Sequence, residues 1–525
     1  MARDVEIELK FLVPPKARAA VAAEMARRTA SSEGMRLSAM YLDTPDRRLA
    51  RAGLAWRLRR EGRRWVQTLK APGAGALERF EREVLRPGPE PDAGLHAGTS
   101  AGERLLELLR RAQKDGHPVG VRYRTEVRRQ VRRVRTRGAV VEVAFDEGRI
   151  VAAAPGAVGP VLRLCELEFE LVSGSAVAML GLAQRWRNRF GLVVDPRSKA
   201  ERGDRLADGQ RFPALRKGGE IDYPRDADAQ QAFGAVLDEC LDQVLRNAIG
   251  LVAGDPELRV EHVHQLRVGI RRLRSALRAF RGFVVPPPDA LVQGLRTLFA
   301  QLGRVRDQDV LAGGVAKALA GAGAPPLAVQ PRAADDAADA VAVACDPQTQ
   351  RLLLDWIAWR ALPAAQEEGD VRAMPPDAGP EAERVSVERA GADAVQEEGR
   401  LPVEPVAMAE GAVEEGTAAQ EGTAAQEGTA AAAAEPAEAA QRSVRDREAS
   451  GADGQDESAD PHADFARSAA RRLRRWHRQI AADVAAFDAL DEAGLHALRK
   501  RIKRQRYAVE FFTPVLRRGR TSAYL

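Results

Sequence analysis

At 525 residues the chain is too long for a single hydrophobic core, so two or three domains are expected. Its 45% hydrophobic content suits globular domains, but no stretch reaches the apolar length of a membrane span, which argues against a membrane partner. The net charge of +6 averages regions of opposite sign: two basic blocks flank an acidic one, and basic blocks point to polyanionic ligands.

The amino end, MARDVEIELK, carries charge throughout and lacks the apolar core of a signal peptide. Cys165, Cys240 and Cys345 are far apart and form no metal or redox spacing, so a reducing, cytoplasmic setting is expected. The first element, VEIELKF (Val5 to Phe11), alternates strictly, with Glu6, Glu8 and Lys10 on one side and Val5, Ile7, Leu9 and Phe11 on the other. Alone, it reads as a strand with one solvated face. Further short alternating segments follow up to about residue 205: GLAWRLRR, RWVQTLK, RFEREV, RTEVRRQVRR, AVVEVAFDEG and LCELEFELV. Their spacing predicts an antiparallel, mostly β domain, interrupted by helices near KARAAVAAEMARR and GSAVAMLGLAQRWRNRF.

Charge on these strands is sorted by sign. The first strand supplies Glu6 and Glu8, and the last supplies Glu166, Glu168 and Glu170, while the middle strands supply Arg57, Arg59, Lys70 and a run of arginines around Arg124 and Arg129. Like charges opposite one another across strands are destabilising. Clustered carboxylates make sense around a hard cation such as Mg²⁺ or Mn²⁺, and clustered Arg and Lys around an anion. If the sheet closes, both sets face one lumen, and the ligand needing metal on one side and guanidinium on the other is a phosphate chain.

These residues resemble the CYTH domain, the triphosphate tunnel metalloenzymes. EIELK (Glu6, Glu8, Lys10) matches the ExExK signature. The likeness continues through YLDTPD, GLAWRLRREG, TLK ending at Lys70, RFEREV with Glu81 and Glu83, FDEG with Asp146, ELEFEL, and SKAERG with Lys199. The resemblance implies an eight-stranded antiparallel β-barrel whose tunnel binds triphosphate. It implies metal held by Glu6, Glu8 and Glu168, with Glu166, Glu170 and Asp146 as further candidates. It also implies phosphate binding by Lys10, Arg57, Arg59, Lys70, Lys199, Arg124 and Arg129. In RYRTEVRRQVRRVR a one-residue shift exchanges faces, so the last two are placed by register alone. Catalytic roles fall to Lys70 and to Glu81 or Glu83, which would activate water. His96 and His117 sit in linker-like stretches and read as incidental. Hydrolysis of inorganic triphosphate, hydrolysis of thiamine triphosphate and cyclisation of ATP all occur in this family. A non-catalytic polyphosphate binder is a further alternative.

From about Ala227 the pattern turns helical. RVEHVHQLRVGIRRLRSALRAF carries an apolar stripe (Leu266, Ile270, Leu273, Leu277) and a basic face of His264, Arg267, Arg271, Arg274 and Arg278. Near the carboxyl end, LHALRKRIKRQRYAVEFF places His496, Arg499, Lys503 and Arg506 at the same offsets, which argues for an internal duplication. With LGRVRDQDVL (Arg306, Asp307, Asp309) between them, this region resembles the CHAD domain, a helical module that binds inorganic polyphosphate. The resemblance assigns that role to His264, Arg267, Arg271, Arg274, His496, Arg499, Lys503 and Arg506. Zinc-finger, helix-turn-helix and RNA-binding signatures are missing, which disfavours nucleic acid. Between the halves lies an acidic stretch with the repeat EGTAAQ and no aromatic residue, which composition reads as disordered.

The expected fold class is therefore multidomain α+β. A CYTH-like barrel spans 1–205 and a linker 206–226. CHAD-like helices span 227–363 and 462–525 around a disordered insertion at 364–461, and the second half reads as incomplete. The bacterial inorganic triphosphatases share this coupling. The expected cofactor is Mg²⁺ or Mn²⁺, the partners inorganic triphosphate and polyphosphate, and the location cytoplasm or polyphosphate granules.

Overall fold

The computed structural model of the chain describes residues 4–27, 32–73, 75, 77–153, 159–310, 334–361 and 461–516. The acidic repeat stretch and the side chains around Arg306 to Asp309 lie outside them.

The amino-terminal strands are β1 (Val5–Leu12), β2 (Ser32–Asp43), β3 (Ala55–Glu61), β4 (Arg64–Pro72), β5 (Glu78–Arg86), β6 (Gly120–Thr136), β7 (Ala139–Ala152), β8 (Val161–Gly174) and the two-residue β9 (Val193–Val194). The first eight form one antiparallel sheet in the order β5-β4-β3-β2-β6-β7-β8-β1, and pairing of β1 with β5 closes it into a barrel. β9 pairs with the far end of β1. Two-residue loops at Gly62–Arg63 and Arg137–Gly138 join β3 to β4 and β6 to β7, and both glycines take the positive φ such hairpins require.

Closure reverses the solvated-face reading of β1. Its apolar side faces outward, but into packed helices: Leu9 and Phe11 are buried, Phe11 meets Phe169 edge-on at 5.7 Å, and Phe169 meets Trp186 at 5.9 Å. The helices around the barrel are α1 (Arg18–Ala26), α2 (Arg48–Arg51), α3 (Ser100–Lys114), α4 (Ala176–Phe190) and α5 (Lys199–Ala207). Thr99, Ser175 and Ser198 cap α3, α4 and α5 by accepting from backbone N–H groups of the first turn. The Ser198 cap fixes where α5 begins, and so fixes Lys199.

The helical region comprises α6 (Ala229–Ala253), α7 (Arg259–Ala279), α8 (Asp289–Val310), α9 (Ala334–Cys345), α10 (Pro347–Ala361), α11 (Pro461–Ala485) and α12 (Glu492–Phe512). A full capping box at Asp228 and Gln231 starts α6. Phe280, following α7, packs against Phe233, Phe465 and Phe512 at 5.1, 6.0 and 5.0 Å, so helices from both sides of the acidic stretch share one aromatic cluster. That core runs without a break from the barrel's outer face. The stretch read as a linker, 206–226, is built into it: Ile221 and Tyr223 are buried, and the Tyr223 hydroxyl donates to the Phe511 carbonyl at 2.7 Å. Arg187 to the Pro347 carbonyl (2.9 Å) and Val194 N–H to Gln350 (2.8 Å) tie barrel to helices. Among the described residues no helix is long and apolar enough to cross a membrane.

Two histidines belong to these cores. His96, expected to be incidental, is fully buried 3.1 Å from the Gln67 amide, and His262 donates from Nδ1 to Asn247 Oδ1 at 3.1 Å. The other ring nitrogen of each has no hydrogen-bond partner, so burial holds both rings neutral, with pKa near 4. The unfolded chain takes up these protons near pH 6.5 and the folded chain does not. The stability these neutral rings contribute is therefore complete above that value and is lost progressively as pH drops toward 4. Denaturation midpoints measured from pH 7 to pH 5 should fall steeply, and a flat profile would contradict this account.

Candidate functional site

The lumen receives every second residue of the strands. It takes Glu6, Glu8 and Lys10 from β1, Arg57 and Arg59 from β3, Lys70 from β4, Glu81 and Glu83 from β5, Arg129 from β6, and Glu168 and Glu170 from β8, with Lys199 from the first turn of α5. They line a cavity of about 1590 Å³. Asp146 of β7 and Glu166 of β8 lie beneath them, 0% and 2% exposed. Isolated buried charges are costly, so the lumen is organised as interlocked pairs.

Two centres result. In the first, Asp146, Glu166 and Glu168 bring one carboxylate oxygen each within 4.8 Å of one another. Arg129 forks onto Asp146 at 2.7 and 2.6 Å and also meets Glu168 at 2.5 Å. Lys199 lies 2.7 Å from Asp146 and 2.9 Å from Glu168 and contacts Glu166, which also pairs with Arg202. In the second, Lys70 bridges Glu6 (3.0 Å) and Glu81 (2.5 Å), Arg57 meets Glu81 at 3.3 Å, and Arg59 meets Glu83 at 3.1 Å. Lys10 spans the gap, 2.8 Å from Glu8 and 3.8 Å from Glu168.

Charge follows from this pairing. Burial pushes the Glu168 and Asp146 carboxyls up, but Lys199 and Arg129 outweigh it and hold both below the usual range. Burial likewise opposes ionisation of Glu8, and Lys10 and Lys70 override it. Glu6 goes the other way: burial, reinforced by a hydrogen bond and repulsion from Glu81, pushes it up to about 9 despite Lys70. Glu81 is buried too, yet Lys70, Glu6 and Arg57 draw it down, so Glu6 keeps the proton and Glu81 the charge. Burial and nearby Glu142 raise Glu170. Lys70 and Lys199, although buried, stay charged because their carboxylates hold them above the ordinary lysine value.

One expected residue is misplaced. Arg124 points outward and is exposed, because β6 pairs Tyr123 with Tyr41 and Arg124 with Met40, putting Tyr123, Thr125 and Val127 inside. Arg129, five residues on, faces the lumen. Glu166 joins Asp146 and Glu168, whereas Glu170 stands opposite Glu8 and Glu142. Sequence reasoning missed Arg202, one helical turn after Lys199 on α5, although that spacing signals a shared face. It also missed Tyr41, hidden in YLDTPD.

A second charged surface lies on the helices. Arg267, Arg271 and Arg274 of α7 stand over the Phe299 ring of α8, 4.7, 5.8 and 5.6 Å from its centre. Burial and repulsion from Arg271, Arg499 and Arg506 lower the Lys503 ammonium, which records how closely α7 and α12 bring their cations together. His264 is half-buried, and His496, Arg499 and Arg506 are exposed. Arg296 of α8 adds to the surface, lowering Arg274 together with burial.

Comparison with known proteins matches the CYTH domain to residues 4–203 and the CHAD domain to residues 235–400 and 385–525. The inorganic triphosphatase of Haemophilus influenzae is 27% identical over 207 residues, 39% of this chain and 56% of that protein, so the chain spans about half the length of this curated relative. The solved CHAD domain of the plant Ricinus communis is 23% identical, covering 59% of this chain and 75% of its own, with a TM-score of 0.34. HpAC1 of Hippeastrum, described as a candidate adenylyl cyclase with dominant triphosphatase activity, is 19% identical over 40% of this chain and 98% of its own, with a TM-score of 0.27. The chain belongs to the CHAD-domain family and carries a CYTH domain ahead of its CHAD region.

Proposed function

We propose that the barrel hydrolyses inorganic triphosphate to pyrophosphate and orthophosphate with a divalent metal, and that the helical region binds inorganic polyphosphate. One observation carries the first part: the buried carboxylate cluster of Asp146, Glu166 and Glu168 opens through Glu168 onto a lumen lined by Arg57, Arg59 and Lys70. An anion clamp alone gains nothing from carboxylates beside its ligand. Three hard oxygen donors within 4.8 Å fit Mg²⁺ or Mn²⁺. Asp146, Glu166 and Glu168, with Glu8 linked to them through Lys10, would hold the ion, which when bound supplies charge neutralisation of phosphate oxygens and acidifies a water.

The chain's own groups do the rest. Lys10, Arg57, Arg59 and Lys70 hold the phosphate chain in line, so that attack meets a fixed phosphorus. Lys199 and Arg129, paired with carboxylates in the free protein, supply further positive charge to the anion. Lys70 and Arg57 hold the Glu81 carboxyl well below its usual range, which makes it a poor base, whereas Glu83, paired with Arg59 at 3.1 Å, has a side chain 41% exposed, so Glu83 is the better acceptor for the proton of the attacking water.

Incubating the full chain with tripolyphosphate or ATP and Mg²⁺ or Mn²⁺ tests this reading. Orthophosphate release from tripolyphosphate is expected; cyclic AMP, or no product, would overturn it. Binding of long-chain polyphosphate should weaken with salt and fall at least tenfold in the double variant Arg271→Glu, Lys503→Glu, with triphosphate turnover unchanged.

A further inference from the structure

The lumen contains a hydroxyl whose proton has no acceptor among the described residues. Tyr41 of β2 is 4% exposed and lines the cavity, and its oxygen accepts a hydrogen bond from Arg57 Nη1 at 3.3 Å. The cations that act on it from inside the lumen are Arg57, Lys199 and Lys70, and none of them can accept a proton. The ring is fixed from behind. It stacks on Tyr123, with centroids 4.7 Å apart and planes at 18°. Tyr123 in turn donates to the Ala200 carbonyl at 2.9 Å, and Gly203 of α5 lies so close that a Cβ there would come within 2.2 Å of the Tyr123 ring. Tyr41 is thus held by its neighbours with one polar atom facing the cavity.

We propose that Tyr41 is a substrate-binding residue whose hydroxyl donates a hydrogen bond to a phosphate oxygen of the triphosphate, beside Arg57 and Lys199. The proposal rests on the lumen being the triphosphate site. Its logic is that of satisfaction: a buried O–H surrounded by donors is relieved only by an incoming acceptor, and an anionic oxygen is the acceptor those cations attract. Burial pushes the phenol up, but Arg57, together with Lys199 and Lys70, outweighs it and the group sits below the ordinary tyrosine value, which strengthens it as a donor.

Tyr41→Phe keeps the ring and the stack and removes only the donor. The expected result is a kcat/KM for tripolyphosphate lower by about 10- to 30-fold with an unchanged melting temperature. A kcat/KM within twofold of the parent overturns the proposal. Arg57→Ala, run alongside, separates the two levels. Loss of activity there with none in Tyr41→Phe removes only the tyrosine's role, whereas full activity in both removes the lumen as the site. Should Tyr41→Phe not fold, 3-fluorotyrosine at position 41 preserves ring and donor. Its ¹⁹F resonance should shift when tripolyphosphate is added, and an unmoved resonance overturns the proposal.

Discussion

Glu168→Gln should lower orthophosphate release from tripolyphosphate on the order of 10²–10³-fold while leaving the barrel folded. Three cations converge on the Glu168 carboxylate: Lys199 at 2.9 Å, Arg129 at 2.5 Å and Lys10 at 3.8 Å. The amide keeps the shape but removes the charge. Lys199 and Arg129 then settle on Asp146, and both the metal-holding set and the placement of those cations are lost together. Folding should survive, since Asp146 and Glu166 still neutralise the two cations. Glu170→Gln is the contrast. Burial and nearby Glu142 already raise its carboxyl toward the neutral form, so a neutral amide changes less and activity should stay within about tenfold. Steady-state phosphate release in Mg²⁺ or Mn²⁺ measures both. Equal rates for Glu168→Gln and the parent would remove the metal assignment.

What could be read in advance was whatever depends on alternation. Glu6, Glu8, Lys10, Arg57, Arg59 and Lys70 all face inward because period-2 spacing fixes their side of the strand once the sheet closes. Arg124 was misjudged for the same reason: in an arginine-rich strand either register gives a basic face, and the aromatic pair Tyr41–Tyr123 decided it. The grouping of acids was less legible. Spacing along β8 treats Glu166, Glu168 and Glu170 alike, but cross-strand register puts Asp146 opposite Glu166 and Glu142 opposite Glu170, so only part of the row forms a cluster. The 206–226 stretch, expected as a linker, is packed because Ile221 and Tyr223, isolated apolar residues in a polar stretch, meet helical surfaces that local sequence does not reveal. The matched basic helices were visible as a repeat, whereas their meeting through Arg271 and Lys503 depends on packing between distant segments.

The duplication has a mechanical counterpart at Arg272, one residue from the basic face on α7 but turned inward. It is 2% exposed, donates to Gln243 at 2.9 Å and to the Gly219 carbonyl at 3.3 Å, lies 3.4 Å from Glu239 of α6, and pairs with Glu510 of α12. One guanidinium therefore ties α6, the 206–226 stretch and α12 together, across the acidic segment that separates them in sequence. Arg272→Ala should cost about 3–5 kcal/mol, because it opens a cavity and strips Glu510 and Gln243 of their donor at once. Arg272→Met refills most of the volume without the charge and should recover part of that loss, since a well-packed apolar side chain can replace a buried ion pair at little cost. Urea unfolding of the full chain discriminates: two variants equally destabilised would mean that charge alone matters, and two near the parent would mean that α12 is held by its aromatic contacts. The expected ordering, parent above Met above Ala, makes Arg272 the joint that keeps the Lys503 helix beside the Arg271 helix. Weakened polyphosphate binding in Arg272→Ala, with tripolyphosphate turnover retained, is the functional sign of that joint failing.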